Sequence, residues 1–167
     1  MPDAPKSKSS LFTIRLAEEK DASTLLALIK ELAQYEKLLP EVEATEQQVR
    51  DSIFHRKAAE AFIGEYKGKA VAYAIIYQNF SSFTARPGIF VEDIYVKPEL
   101  RRMGFGKLLF KFIAKLAVER GCARMEWTCL DWNAPSIAFY KKLGAKDLTE
   151  WTNFRLAGKS LEEMANS

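Results

Sequence analysis

Residues 89–107 read IFVEDIYVKPELRRMGFGK, and this stretch decides the fold. The alternating apolar side chains of residues 89–96 predict a strand. Gly104 and Gly106 follow it, and because neither has a Cβ the backbone there can turn tightly and approach a ligand. A helix that begins at these glycines exposes unpaired N–H groups and the positive end of its dipole, which favours a diphosphate. The turn also carries the basic side chains of Arg101, Arg102 and Lys107.

The spacing of these glycines excludes two familiar phosphate-binding loops. A P-loop needs a glycine five residues before Gly106, where this sequence has Arg101. The dinucleotide-binding fingerprint needs a third glycine, which is missing here. A strand, a basic turn and two glycines also suit a purely structural turn. This stretch alone therefore leaves two alternatives open, a ligand-binding loop and a structural one.

The sequence before residue 60 predicts a strand and two helices. Residues 11–16 alternate as a short strand, and a helix opens at Asp21. The apolar stripe of that helix consists of Leu25, Leu28, Ile29 and Leu32. Continuing the stripe by three and four residues reaches Tyr35 and Glu36, so a carboxylate lies near the end of an otherwise apolar face. Thr45 and Gln48 form a capping-box pattern for a second helix that runs to about residue 54.

The rest of the chain predicts a mixed sheet. Residues 61–77 form a hairpin around Lys67-Gly68, and residues 80–88 are expected to be a loop. An apolar stripe over residues 108–117 predicts a helix that ends at Gly121. Strands are then expected at residues 125–129 and 153–158, on either side of a short helix capped by Asn133 and closed by Gly144. This order of elements predicts an α/β or α+β domain with helices on the faces of a mixed sheet.

Composition and charge limit the classes of function. The 167 residues fit one domain over residues 11–167, with residues 1–10 as a flexible polar tail. A net charge of +3 is too small for a nucleic-acid-binding surface. Without a signal-peptide pattern or a membrane-spanning run, the sequence favours a cytoplasmic protein. Cys122, Cys129 and His55 form neither a disulfide framework nor a zinc-binding pattern, so no metal is expected.

Two segments together resemble the cofactor motifs of the GNAT acetyltransferase family. Arg101-x-x-Gly104-x-Gly106, between a strand and a helix, resembles the family's pyrophosphate loop for acetyl-CoA. Residues 131–145 read DWNAPSIAFYKKLGA and resemble the family's other cofactor segment, which contains its acid tyrosine. The two segments also occur in the order and at the spacing of the family. The pair of motifs therefore favours the ligand-binding interpretation of the glycine turn.

The resemblance implies the GNAT fold, a mixed twisted sheet flanked by helices on both faces, with acetyl-CoA as cosubstrate. The residues that it implies for cofactor binding are Ile94, Tyr95, Val96, Arg101, Arg102, Met103, Gly104, Phe105, Gly106, Lys107, Asn133 and Ser136. The backbone N–H groups of Ile94 and Val96 are the implied donors to the oxyanion that develops during acyl transfer. Tyr140 is the implied acid that protonates the leaving thiolate. Without the motif, a tyrosine on a short helix would be interpreted as a packing residue.

Three further segments place the sequence nearer one branch of the family. Residues 28–37, LIKELAQYEK, residues 91–96, VEDIYV, and residues 130–133, LDWN, resemble the spermidine/spermine and thialysine acetyltransferases. The last two are more similar to the thialysine enzymes. Residues 151–153 read Trp-Thr-Asn where the polyamine enzymes carry further acidic residues, which disfavours a long polycation as substrate. The branch implies that Tyr35 and Glu36 line the amine site and that the enzyme is a homodimer.

Acetylation of an amine requires the loss of a proton. An amine with a pKa near ~10.4 is only about 0.04% neutral at pH 7, which corresponds to roughly 4.6 kcal/mol. Strand alternation places Glu92 on one face with Phe90, Ile94 and Val96, and Asp93 on the other. Apolar neighbours on that face are expected to raise the pKa of Glu92, which suits a general base that acts through a water, as in the family. A salt-bridged structural carboxylate is the alternative.

Three functions remain open on these residues. The first is acetylation of thialysine or a similar small diamine or amino acid. The second is acetylation of a polyamine or of a protein amine on the same scaffold. The third is a non-catalytic acyl-CoA-binding regulator, which would need neither Glu92 nor Tyr140. The presence of both residues favours an enzyme over the regulator, and the resemblance to the thialysine enzymes makes the first function the leading hypothesis.

Overall fold

The computed structural model describes residues 11–167, and the tail predicted for residues 1–10 lies outside them. Its strands form one five-stranded sheet in the order β1-β2-β3-β4-β5. The strands are β1 (Phe12–Leu16), β2 (Glu60–Tyr66), β3 (Lys69–Ser81), β4 (Arg86–Val96) and β5 (Met125–Glu126). Neighbouring strands from β1 to β4 run antiparallel, whereas β4 and β5 pair in parallel. The predicted mixed sheet is confirmed.

Five α-helices accompany the sheet in residues 11–167. They are α1 (Ala22–Tyr35), α2 (Glu46–Val49), α3 (Phe105–Glu119), α4 (Ala134–Lys142) and α5 (Gly158–Ala165). The predicted capping box of Thr45 and Gln48 begins α2, and a π-helical segment, Arg50–His55, continues it. Across the described residues, every helix falls short of the length and apolar character that crossing a bilayer requires.

The core lies on both faces of the sheet. On one face α3 packs against the sheet, with the ring of Phe105 stacked on Phe12 at 4.0 Å between ring centres. On the other face α1 and α2 cover a second cluster that contains the fully buried Leu25 and Tyr73. Because side chains alternate along a strand, one set of strands supplies both clusters. Helices on both faces were predicted, and this prediction is confirmed.

The described chain forms two compact units, residues 11–128 and Cys129–Ser167. The first contains the sheet, α1, α2 and α3. The second contains α4 and α5. The assignment of residues 11–167 to a single domain stays a prediction.

The hairpin of β3 and β4 is longer than predicted. Residues 80–88 were expected to be a loop, but Phe80 pairs with Pro87 and Ser81 pairs with Arg86. This segment contains Ser, Thr, Pro and Gly, which are typical of loops, and this composition suggested a loop. Antiparallel pairing continues there because each strand satisfies the backbone groups of the other.

Two predicted strands differ from the structure. The strand expected at residues 125–129 is only Met125–Glu126, and the strand expected at residues 153–158 does not form. Phe154 is 94% exposed, and α5 begins at Gly158. Alternating apolar residues predict which side chains share a face, but a strand also needs a partner for its backbone hydrogen bonds. Within Cys129–Ser167 no second strand is present to provide one.

Candidate active site

The N-terminus of α3 has the backbone geometry of an anion-binding turn. Gly104 is the N-cap residue with φ of 84°, a left-handed conformation that favours glycine, and no side chain caps the helix there. Leu108 N donates to Gly104 O at 3.0 Å, so the regular hydrogen bonds of α3 begin at this point. The N–H groups of the first turn therefore lack acceptors within the helix. A Cβ at position 104 would meet no atom within 4 Å, so the space beside the turn is open.

The side chains of this turn divide between the surface and the core. Arg102, itself at φ of 67°, and Met103 are exposed. Phe105 is 2% exposed and packs in the core. Any contact of Phe105 with a cofactor must therefore come from its backbone. The predicted basic charge of the turn thus comes from side chains that solvent and a ligand can reach.

Within residues 11–128, the second half of β4 has no strand partner along one edge, which we call its free edge. The parallel strand β5 pairs with β4 only at Ile89 and Phe90. The N–H of Lys97 donates toward β3, and successive N–H groups of a strand point to opposite edges. The N–H groups of Ile94 and Val96 therefore point toward the other edge, where residues 11–128 contain no further strand partner. These are the two donors that the family resemblance implied.

A β-bulge in β4 changes which face each side chain occupies. Val91 pairs with one residue of the Ile75–Ile76 pair and Asp93 pairs with the other, so Glu92 is the extra residue. Val91 and Ile94 consequently both pack on the α3 side, although they are three residues apart. The alternation of β4 is thus shifted by one residue at Glu92.

The bulge overturns the predicted surroundings of Glu92. The expectation that Glu92 shares one face with Phe90, Ile94 and Val96 is wrong, since residues before and after the bulge follow opposite alternations. Glu92 is exposed rather than enclosed by apolar side chains. An alternating pattern in a sequence carries no signal for a bulge of this kind, because the extra residue is an ordinary glutamate.

Asp93 is the more enclosed carboxyl group on this part of β4, half-buried beside the exposed Glu92, and the motifs predicted no role for it. The hydroxyl of Tyr73 donates to Asp93 Oδ2 at 3.0 Å. The pKa of Asp93 is raised to about 6, chiefly by burial and also by the charges of Glu92 and Glu36, while the hydrogen bond from Tyr73 opposes this rise. The charges of two carboxyl groups, Glu92 and Glu36, thus act on Asp93. The sequence signal was present, since acidic residues are adjacent in VEDIYV, but Asp93 was expected to point away.

The end of α1 supplies the third of these carboxyl groups. Glu36 is the C-cap residue of α1 and is half-buried, and this burial raises its pKa. Next to it, the ring of Tyr35 lies under the guanidinium of Arg101, with 4.3 Å between the guanidinium carbon and the ring centre. The two residues predicted for the amine site are therefore adjacent to the loop predicted for the cofactor.

A hydrogen-bond network holds α1 against the end of β4. Glu31 accepts from the Tyr95 hydroxyl at 3.2 Å and from Lys97 Nζ at 2.6 Å. Burial and the charge of Glu31 raise the pKa of Tyr95 to about 12. The Tyr95 hydroxyl is thereby occupied by its hydrogen bond to Glu31 of α1. The cofactor contact predicted for this residue could then involve only its backbone.

The second predicted cofactor segment belongs to the unit Cys129–Ser167. Asn133 is buried and caps α4, where its side-chain oxygen accepts from Ser136 N at 3.4 Å. Tyr140 lies in the last turns of α4, half-buried, with its ring centre 5.5 Å from that of Phe139. The predicted capped helix is confirmed. The roles of Asn133, Ser136 and Tyr140 in binding and catalysis stay predictions.

Comparison with known proteins identifies the family. The family model described as the acetyltransferase (GNAT) family matches residues 24–145. This match covers most of the chain, including the glycine turn and Tyr140. The chain belongs to the GNAT acetyltransferase family. It is an N-acetyltransferase, and the family uses acetyl-CoA as its cosubstrate.

Curated relatives narrow the branch of the GNAT family. The thialysine N-epsilon-acetyltransferase of Sus scrofa is 40% identical over 164 residues, which cover 91% of this chain and 96% of the relative. The Caenorhabditis elegans protein of the same name is 32% identical over 93% of this chain and 98% of its own length. A human spermidine/spermine N(1)-acetyltransferase-like protein 1 is 32% identical over 92% of this chain but only 24% of that protein.

Solved structures support the same fold. An integron cassette protein of V. cholerae superposes with a TM-score of 0.78 at 23% identity, over 93% of this chain and 98% of the other. A possible acetyltransferase of Clostridium difficile gives a TM-score of 0.75 at 18% identity, over 89% of this chain and 98% of that one. At such low identity these neighbours establish only that the GNAT fold is shared.

Proposed function

We propose that this GNAT enzyme transfers the acetyl group of acetyl-CoA to the primary amine of thialysine or of a related small diamine or amino acid. The observation that carries the proposal is the group of three carboxyl side chains formed by Asp93, which accepts a hydrogen bond from Tyr73, and by Glu92 and Glu36, whose charges raise its pKa. A binding site for an ammonium ion needs anionic groups. A binding site for acetyl-CoA needs an anion-binding turn for the diphosphate and an open strand edge for the acyl group. The thialysine acetyltransferases among the relatives support the choice of amine.

The cofactor side of the proposal rests on the N-terminus of α3 and on β4. The first-turn N–H groups that follow Gly104, with Arg101 and Arg102, would hold the diphosphate of acetyl-CoA. The open space beside Gly104 fits such a group, because a bound diphosphate would lie where a side chain would otherwise project. When bound, acetyl-CoA supplies an activated acetyl group. The N–H groups of Ile94 and Val96 point to the free edge of β4, where they would donate to the acyl oxygen.

On the amine side, the proposal assigns residues to binding the substrate cation and to removing its proton. Glu36 and Asp93 would attract the ammonium form of the substrate, and Glu92 would accept its proton through a water. Glu92 is exposed and lies in the bulge, so solvent can reach it to take the proton away. The sulfur of thialysine withdraws electron density from its aminoethyl group and lowers the pKa of the amine. More of the neutral nucleophile is then present at pH 7.

The leaving thiolate would take its proton from Tyr140. Support for this assignment comes from the motif in residues 131–145 and from the position of Tyr140 within the matched family region. A tyrosine hydroxyl can donate a proton without first being ionised, since its ordinary pKa is about 10. Asn133 and Ser136 would support this segment, because the bond between them fixes the first turn of α4.

Acetylation of a polyamine is the second candidate. The group of three carboxyl side chains favours it, because such a group would also attract a molecule with several positive charges. Against it, residues 151–153 bring no acidic side chain to the C-terminal segment. Thialysine or a similar small amine is therefore preferred as the partner.

Two further properties are proposed with the activity. We infer a homodimer, supported by the large apolar side chains that Cys129–Ser167 leaves exposed, including Trp151 at 76% and Phe154 at 94%. We also infer a cytoplasmic location, since both cysteines of the chain are free thiols, as expected in a reducing compartment.

An initial-rate screen tests the proposed function. Thiol release from acetyl-CoA is measured with thialysine, lysine, ornithine, putrescine, spermidine and spermine at matched concentrations. We expect thialysine to give the highest kcat/KM. Spermine or spermidine above thialysine would establish the second candidate instead. Binding of acetyl-CoA without thiol release on any amine would support a non-catalytic acyl-CoA-binding regulator.

A further inference from the structure

Tyr73 carries a hydroxyl group on a fully buried side chain of the sheet. It lies on β3 with 0% of its surface exposed, in the cluster that α1 and α2 cover. For packing alone a phenylalanine would fill the same space. The hydroxyl instead donates to Asp93 Oδ2 at 3.0 Å across the β3–β4 pair. A buried tyrosine hydroxyl is costly unless it is hydrogen-bonded, so this bond determines which residue type is suitable at position 73.

Asp93 lies in an environment that disfavours its charge. Glu36 from the end of α1 and Glu92 from the same strand are both acidic, and both act against the negative charge of Asp93. Tyr95, also on β4, presents its ring to Tyr73 at 6.2 Å between ring centres and gives its hydroxyl to Glu31 rather than to Asp93. Burial acts in the same direction as the neighbouring carboxyl groups. The Tyr73 hydroxyl is the group that opposes them.

We propose that Tyr73 is a positioning residue of the amine site, whose buried hydroxyl holds the Asp93 carboxylate anionic and oriented for the ammonium group of the substrate. The inference rests on the proposed function for the identity of that cation. The hydroxyl itself does not reach the reacting atoms in this role. It acts through Asp93, and the substrate meets only the carboxylate.

The direction of the pH effect follows from the hydrogen bond. The pKa of Asp93 is about 6, so the anion dominates at neutral pH and is lost as the pH falls through that value. A hydrogen bond to the charged form lowers the pKa of a carboxyl group. Removing the Tyr73 hydroxyl therefore raises the pKa of Asp93 further. The neutral acid then persists to higher pH, where it can no longer attract a cation.

The first arm of the test is the pH dependence of kcat/KM for the amine in Tyr73→Phe. We expect the acid limb of this profile to move to higher pH by about one pH unit. The free energy of a hydrogen bond to a charged group corresponds to a pKa shift of at least that size. Activity should recover at higher pH, and the KM for acetyl-CoA should stay near the wild-type value. A merely structural loss would lower activity at all pH values. Tyr66→Phe, which removes a tyrosine hydroxyl from β2, is the matched control.

The second arm measures Asp93 directly and does not depend on activity. Carboxyl-carbon NMR of aspartate-labelled protein follows the titration, and Asp93→Asn identifies the signal. We expect a midpoint of about 6 in the wild-type protein and a higher midpoint in Tyr73→Phe. In an Asp93→Asn background, Tyr73→Phe should have no further effect on kcat/KM for the amine.

The outcomes separate the two proposals. An Asp93 midpoint near the ordinary 3.8 in the wild-type protein overturns the inference, even if Tyr73→Phe does not fold. The same titration and the same pH profile in wild type and Tyr73→Phe also overturn it. If the midpoint moves as expected but no amine is acetylated, the proposed function fails while the pairing of Tyr73 with Asp93 stands.

Discussion

The guanidinium of Arg101 lies over the ring of Tyr35, 4.3 Å from its centre, and its Nε also donates to Val96 O at 3.2 Å. One side chain thus connects the glycine turn before α3, the free edge of β4 and the end of α1. Those three places are the ones proposed for the cofactor, the acyl oxygen and the amine. A cation over an aromatic face is a stabilising contact, so the geometry of the amine site depends partly on the cofactor loop.

The contact between Arg101 and Tyr35 should be measurable as a coupling energy. We expect the unfolding free energies of wild type, Arg101→Ala, Tyr35→Leu and the double variant to give a coupling of about 0.5–1 kcal/mol, the usual size for an accessible cation–π pair. Denaturant unfolding of the four proteins provides the cycle. The control uses Tyr35→Phe in place of Tyr35→Leu. Phenylalanine keeps the aromatic face, so the contact with Arg101 and its coupling energy should remain. Additive effects of Arg101→Ala and Tyr35→Leu would contradict the expectation.

Gly104→Ala should weaken acetyl-CoA binding. An alanine at a φ of 84° is strained by about 1–2 kcal/mol, so it either distorts the turn or lowers stability. Gly121→Ala is the matched control, since Gly121 has a φ of 68° beyond the other end of α3 and its Cβ would also meet open space. We expect similar losses of stability for both variants, and a loss of acetyl-CoA affinity by calorimetry for Gly104→Ala alone. Unchanged affinity in folded Gly104→Ala would remove the turn from the cofactor site.

Asp21 should contribute stability that depends on pH. Its carboxylate accepts from both terminal nitrogens of Arg15, at 2.6 and 2.9 Å, and from Glu18 N at 2.7 Å. The bond from Arg15 lowers the pKa of Asp21 below its ordinary 3.8. A group with a lowered pKa contributes its full stability above the ordinary value and loses it as the pH falls through the folded-state value.

We therefore expect Asp21→Asn to lower the unfolding free energy by about 1.5–3 kcal/mol at pH 7, the worth of a hydrogen bond to a charged group. The difference between wild type and variant should shrink below pH 3.8. Urea unfolding across pH 3–7 measures both quantities. Asp147→Asn is the control, because Asp147 pairs with Lys141 on the exposed surface. Surface ion pairs contribute little to the unfolding free energy. If the difference in unfolding free energy between wild type and Asp21→Asn did not change with pH, the charge of Asp21 would not be the source of that difference.

The sequence predicted the helices and the glycine turn well because their signals are local. The capping box of Thr45 and the cap of Asn133 each depend on residues three positions apart, and both form as predicted. Long-range features were predicted less well. The bulge at Glu92 arises from the register between β3 and β4, and the missing strand at residues 153–158 depends on a partner that alternation cannot reveal.

The candidate site shows the same division. Gly104 was identified from its motif, and its left-handed backbone fits the predicted turn. Asp93 was not identified, because its environment is made by residues 20 and 57 positions earlier in the chain, Tyr73 and Glu36. No pattern of periodicity brings those residues together before β3, β4 and α1 are packed. Burial, rather than residue type, distinguishes Asp93 from the exposed Glu92.

Tyr140→Phe should lower kcat and leave the KM for acetyl-CoA nearly unchanged. The hydroxyl is proposed to act only as the thiolate leaves, so its loss affects the transition state more than the bound complex. We expect a decrease of about 10²-fold or more, as for the loss of a general acid. Steady-state kinetics with both substrates varied measures the effect. Tyr66→Phe controls for the loss of a tyrosine hydroxyl elsewhere, and wild-type turnover in Tyr140→Phe would leave Tyr140 a packing role only.

Glu92→Gln should lose most activity near neutral pH and recover part of it at high pH. At pH 7 the amine must lose a proton at a cost of roughly 4.6 kcal/mol, and Glu92 is the base proposed to assist that step. At high pH the amine is already neutral, so the base is no longer needed. Glu119→Gln, on the exposed end of α3, is the matched control and should keep the wild-type profile. If Glu92→Gln also kept that profile, the proton would have to leave through another group, and Asp93, whose pKa is about 6, would become the candidate.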